Sequence, residues 1–91
     1  MSVAIVFNAA GCTQAQYDQV QKELHPDKKP PAGMLFHVAG PTSEGWRVVE
    51  VWESQEAADR YFQTTLGAAL QKAGIEAVRP DVFPAYSVMQ P

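Results

Sequence analysis

An α+β fold is what this chain predicts, with elements in the order βαββαβ and the four strands in one antiparallel sheet. Three observations lead there. The stretch Gly45-Trp46-Arg47-Val48-Val49-Glu50-Val51-Trp52-Glu53-Ser54 is rich in valine and tryptophan and opens on a glycine, so it reads as a strand. Side chains alternate across a strand, and both faces of this one are mostly apolar: Trp46, Val48, Glu50 and Trp52 on one side, Arg47, Val49, Val51 and Glu53 on the other. Both faces therefore need cover. Finally, apolar runs and helically spaced stripes follow one another along the chain as strand, helix, strand, strand, helix, strand.

Each element has its own justification. Val3 to Phe7 is a short apolar run bounded by Asn8-Ala9-Ala10-Gly11, a buried strand followed by a loop. Thr13 with Gln16 three residues later makes a capping box, and Cys12 and Tyr17 sit where a hydrophobic staple packs. Tyr17, Val20 and Leu24 then share one helical stripe. Pro26 stops this helix, because the residue before a proline is pushed out of the α region. His25 to Gly33, with three prolines, is a loop.

Met34 to Ala39 predicts the second strand, and Gly40 to Gly45 a hairpin connection. Placing Ala39 opposite Trp46 sets Phe36 against Val49 and His37 against Val48. Leu35 and His37 then share a face with Trp46, Glu50 and Trp52, on condition that the register does not slip by one. Ser54 caps the second helix, Gln55 to Ala73, and Glu56 complements its dipole. Ala58, Tyr61, Phe62, Leu66, Ala69, Leu70 and Ala73 form its apolar face, with Gly67 marking a bend or break. Gly74 and Ile75 suit a Schellman C-cap against Leu70. Val82 to Met89 is the last strand, and Pro84 confines it to a sheet edge or bulge. This order of elements is that of a ferredoxin-like fold.

Composition narrows the function classes. The 91 residues are 46% hydrophobic and 19% charged with net charge −3, which suits one globular domain, 1–91. A domain of this size buries only roughly 60–65% of its unfolded surface and gains from a partner. A second copy on the sheet face that the helices leave open is the partner expected. Seven Lys and Arg without a basic cluster argue against nucleic acid. No apolar run reaches the roughly 18 residues of a membrane span. The N-terminus carries no basic region followed by an apolar segment, so a cytoplasmic location is expected. The single Cys12 excludes an internal disulfide and a multi-thiolate metal site within one chain. No metal or cofactor is expected. His25-Pro26-Asp27 resembles the J-domain signature, but that motif works between two helices, and here a strand-like run follows.

Val51-Trp52-Glu53-Ser54, closing a strand and opening a helix with Tyr61 and Phe62, resembles the dimeric α+β barrel superfamily of antibiotic-biosynthesis monooxygenases, small polyketide cyclases and haem-degrading monooxygenases. The resemblance implies a homodimer in which two ferredoxin-like sheets form a barrel with helices outside. It also implies a ligand cavity between each sheet and its own helices, and an aromatic or polyketide-like small molecule as ligand. By that resemblance Trp52 lines the cavity, although a core aromatic is an equal reading of it. Asn8 matches the first-strand asparagine of haem-degrading members, but the second helix lacks their histidine, which argues against haem degradation.

The remaining candidates are side chains of the cavity side. His37 and Glu50 are diagonal neighbours in the expected register; a carboxylate beside an imidazole can orient it as a general base. The same pair reads equally as a buried hydrogen bond that satisfies two polar groups. Trp46, Phe62 and, on the last strand, Tyr86 are further ligand candidates, Tyr86 being alternatively a dimer contact. Two functions stay open. One is a cofactor-independent monooxygenase or cyclase with His37 as base, oriented by Glu50. The other is a non-catalytic ligand-binding or stress-associated module of the same fold.

Overall fold

The structure is a computed structural model that describes residues 2–27, 29–75 and 80–89. Its elements are β1 (Val3–Ala10), α1 (Gln14–Leu24), β2 (Met34–Thr42), β3 (Gly45–Trp52), α2 (Gln55–Tyr61), a π-helical turn (Phe62–Leu66), α3 (Gly67–Lys72) and β4 (Asp81–Pro84). The strands form one antiparallel sheet in the order β2-β3-β1-β4. The first and third strands are central and the last lies at an edge, as the ferredoxin-like reading requires. Pro84 sits on that edge, where its missing N–H costs no ladder bond.

The helices cover one face of the sheet. Val3, Ile5 and Trp52 meet Ala58 of α2 in the core, with Phe7, Met34, Ala57 and Tyr61 packed around them. On the other face Phe36, Val38 and Phe83 are exposed. Helix α1 starts on the expected capping box: Gln16 N–H donates to Thr13 Oγ1 at 3.2 Å, and Thr13 N–H to Gln16 Oε1 at 3.0 Å. Gln16 Nε2 also donates to the Ala73 carbonyl at 3.3 Å, tying α1 to the end of α3.

The β2–β3 register differs from the expected one by two residues. Strand β2 runs on through Gly40, Pro41 and Thr42 to a two-residue turn at Ser43-Glu44, so His37 faces Glu50 and Ala39 faces Val48. Pro41 is tolerated because β2 is an edge strand. A shift of two leaves every side chain on its expected face, since side chains alternate with period two. Leu35 is the exception: a bulge between Met34 and Phe36 turns it out, 46% exposed, away from the side expected for it. Gly45 is required at the hairpin, because a Cβ there would lie 2.2 Å from the Ala9 carbonyl oxygen.

The second helical segment is interrupted where Gly67 was expected to mark a bend or break. Between α2 and α3 one turn widens, and the Gly67 N–H donates to the Phe62 carbonyl five residues back. A Cβ on Gly67 would sit 3.0 Å from that carbonyl oxygen, so glycine eases the closure of the wide turn. Tyr61, Phe62, Leu66 and Leu70 lie half-buried, while the small Ala58 and Ala69 are the fully buried positions. The C-terminal cap is the expected Schellman motif: Ile75 N–H donates to Leu70 O at 2.9 Å and Gly74 N–H to Gln71 O at 3.1 Å. The last strand is shorter than expected. It ends at Pro84, and residues 85–89 follow without regular structure.

Candidate functional site

The corrected register places His37 and Glu50 directly across from each other on the helix-covered face. His37 Nδ1 lies 3.0 Å from Glu50 Oε2, and Glu50 Oε1 accepts from Trp52 Nε1 at 3.0 Å. Helix α1 brings the Tyr17 hydroxyl to 2.8 Å from His37 Nε2. One assignment satisfies all four groups. Glu50 as carboxylate accepts from both Trp52 and His37 Nδ1–H, and the neutral imidazole accepts at Nε2 from the Tyr17 hydroxyl. Glu50 is only 4% exposed, so these two charge-assisted bonds are what make its burial tolerable. Burial, then the charges of Glu50 and Asp18, raise the Tyr17 phenol above its ordinary pKa and keep it protonated.

A cavity of about 70 Å³ lies beside this chain, walled by Phe7, Cys12, Tyr17, His37, Trp46 and Leu66 among others, and its lining is almost wholly apolar. The Trp46 ring lies against Tyr17 with centroids 5.1 Å apart. Burial raises the Cys12 thiol pKa, so this sulfur sits in the wall as a protonated, unreactive group. Phe7, Glu50 and Leu66 also wall a second cavity of about 200 Å³, bordered by Trp52, Tyr61 and Phe62. Phe7 and Phe62 are stacked at 5.8 Å. Outside α1, a groove of about 610 Å³ runs past His25, Met34 and His37.

The expected site residues divide accordingly. His37, Glu50 and Trp46 come together at one cavity. Trp52 is 1% exposed and stands behind Glu50 as its hydrogen-bond donor, bordering the second cavity together with Phe62. Asn8 reaches the first cavity's wall, but its Oδ1 is taken by Arg47 Nε at 2.8 Å. Tyr86 does not reach either cavity. It is 100% exposed beyond the end of β4, against the open face with Phe36 and Val51.

Tyr17 was missed as a site residue, since its place in a helical stripe explains it without reference to His37. A second pair was missed too: Tyr61 OH lies 2.8 Å from His25 Nε2. Burial and Glu50 push the Tyr61 phenol up to about 12. Among the described residues no three His, Cys, Asp or Glu side chains are placed to hold a metal ion.

No protein-family model matches the chain, and no curated protein matches it in sequence. Solved structures do match in fold. An antibiotic biosynthesis monooxygenase-like protein from Chloroflexus aurantiacus superposes with a TM-score of 0.69 at 15% identity, over 99% of this chain and 98% of that one. A second such protein, from Deinococcus radiodurans, gives 0.65 at 11% identity over 100% and 98% of the two chains. SnoaB, a cofactor-independent oxygenase from Streptomyces nogalater, gives 0.58 at 14% identity over 99% and 95%. The fold of this chain is thus the ferredoxin-like fold of the antibiotic biosynthesis monooxygenase-like proteins.

Proposed function

We propose that the protein is a cofactor-independent enzyme that removes a proton from an aromatic or polyketide-like small molecule, with His37 as general base and Glu50 orienting it. The observation that carries this reading is the chain Tyr17–His37–Glu50–Trp52 on the wall of an apolar cavity. Glu50 holds the Nδ1 proton, which leaves Nε2 as the basic nitrogen and stabilises the imidazolium once a proton arrives. Tyr17, bonded to Nε2, hands its own proton to His37 as it takes one from the ligand. Proton removal of this kind begins both monooxygenase-like and cyclase-like chemistry. The fold likeness to SnoaB supports the class.

The protein acts as a homodimer in this proposal. Phe36, Val38 and Phe83 lie exposed on the open face beside Val51, and a second sheet is the cover that matches their shape and polarity. Sedimentation should give a dimer at micromolar concentration. Val51→Asp should break it by burying an unpaired charge; a wild-type chain that sediments as a monomer removes this part of the proposal.

One observation favours the second reading, a non-catalytic binding or stress-associated module. The cavity beside His37 holds about 70 Å³, below the roughly 300 Å³ at which drug-sized ligand sites begin. Native mass spectrometry of the purified protein decides between them, followed by turnover of the retained compound. A retained aromatic compound consumed by wild type and not by His37→Ala supports the enzyme. A compound retained and never consumed supports the module.

A further inference from the structure

The two tyrosine-bound histidines are not equally complete. His37 has a carboxylate at its second nitrogen, since Nδ1 lies 3.0 Å from Glu50 Oε2. His25 gives Nε2 to the Tyr61 hydroxyl at 2.8 Å, and its Nδ1 has no hydrogen-bond partner among the described residues. Burial holds the Tyr61 phenol protonated. The assignment that uses the phenol proton has Tyr61 donating to Nε2, which leaves the proton of the neutral ring on Nδ1. His25 borders the groove of about 610 Å³ outside α1, and so do Lys22 and Lys29. Neither ammonium is paired with a carboxylate among the described residues, whereas Lys72 is held by Glu23 at 2.9 Å. Asp27, two residues from His25, spends Oδ1 on the Lys29 backbone N–H at 3.1 Å. Three prolines and Met34 make much of the remaining wall apolar, and Asp18 sets one negative charge against the two lysines. Gln21 and His37 complete it, and both His37 nitrogens are already bonded. The lining keeps one net positive charge, the complement of a monoanion.

We propose that this groove binds a small organic monocarboxylate with an apolar body. The carboxylate accepts from His25 Nδ1–H and takes the charge of Lys22 and Lys29, while the body lies on the prolines and Met34. The ligand then supplies to His25 what Glu50 supplies to His37. A phosphate group carries ~1.5–2 negative charges at pH 7, more than this lining balances. The groove shares only Gln21 and His37 with the wall of the His37 cavity. Its charged groups are its own, so the site stands whether or not that cavity turns over a substrate.

Cyclohexanecarboxylate and cyclohexanecarboxamide serve as probes, alike in shape and different in charge, with inorganic phosphate as the competing anion. In protein labelled with nitrogen-15 at histidine, the His25 ring resonances should move with the carboxylate and stay put with the amide. Lys22→Gln and Lys29→Gln should each weaken carboxylate binding about two- to fivefold, the reach of an exposed ion pair. Lys72→Gln, which removes an ammonium already held by Glu23, should leave that binding unchanged. Both groove lysines are exposed, so their variants keep the fold. Equal binding of carboxylate and amide overturns the inference, as do His25 resonances indifferent to the carboxylate. Unchanged affinity in both groove variants overturns it too, and so does an equal loss in all three lysine variants. Phosphate bound as tightly as the carboxylate overturns the ligand class and with it the proposal.

Discussion

The molecule contains two tyrosine–histidine pairs that differ in what stands behind them. Tyr17–His37 and Tyr61–His25 both span 2.8 Å from hydroxyl to Nε2, and their rings stack at 28° and 15°. Behind His37 stands the buried Glu50 carboxylate, itself held by Trp52. His25 caps the end of α1 instead, and burial and the nearby His37 hold its imidazole below the usual histidine range, against the pull of Asp27 and Glu50. The pair alone is a hydrogen bond. A carboxylate on the far nitrogen is what the proposed function uses to make it a route for a proton.

The largest expected effect separates the pairs by activity. His37→Ala and Glu50→Gln should each cut turnover of the retained compound by ~10²–10⁴-fold, the usual reach of a general base. The double variant should be no slower than the worse single one, because the glutamate acts through the histidine. His25→Ala should stay within a few-fold of wild type; an equal loss there would erase the distinction between the pairs.

Stability should follow the same division. Trp52→Phe removes a donor to a buried charge and should cost ~1.5–3 kcal/mol in a urea melt. Tyr61→Phe removes a neutral bond and should cost ~0.5–1.5 kcal/mol. A reversed order would mean that Glu50 is satisfied without Trp52.

Two smaller effects appear in pH. The fold favours the neutral Tyr61 phenol, so the stability it contributes is whole below pH ~10, where the unfolded phenol begins to ionise, and is lost up to about 12. Absorbance at 295 nm should show one tyrosine titrating near the upper limit, and Tyr61→Phe should remove it. The fold also favours neutral His25. As pH falls through ~6.5 the unfolded chain takes up that proton first, so melting temperature should drop, and less so in His25→Gln. A flat profile in wild type between pH 7 and 5 would contradict the assigned environment of His25.

The sheet was legible because its signal has period two. An error of two residues in the hairpin left His37, Trp46, Glu50 and Trp52 on one face, and only Leu35, displaced by a bulge, went astray. The register itself was hidden by Gly40 and Pro41, which read as a turn yet pair with Arg47 and Trp46 at an edge. Tyr17 was hidden for another reason. Helical spacing reports which residues share a stripe, not which strand residue the stripe meets. Of the two readings of Tyr86 the cavity one fails, because the strand expected from Val82 to Met89 stops pairing at Pro84, which had marked an edge or bulge but not an end. That Trp46 Nε1 is buried with no acceptor among the described residues is a property of packing and has no sequence signal at all.

The wide turn at Phe62–Leu66 has a consequence for insertions and deletions. A π-turn is an α-helix carrying one residue more than its hydrogen-bond ladder needs. Removing the exposed Gln63 would let the ladder close in the ordinary way, with Ala58 and Ala69 keeping their present orientation toward the sheet. The same deletion within α2 or α3 would rotate everything beyond it by about 100° and carry the apolar face into water. Shortened chains of this fold should therefore lose their residue at this turn. The shortening would redraw the wall between the two cavities, since Leu66 lines both and Phe62 lines the second.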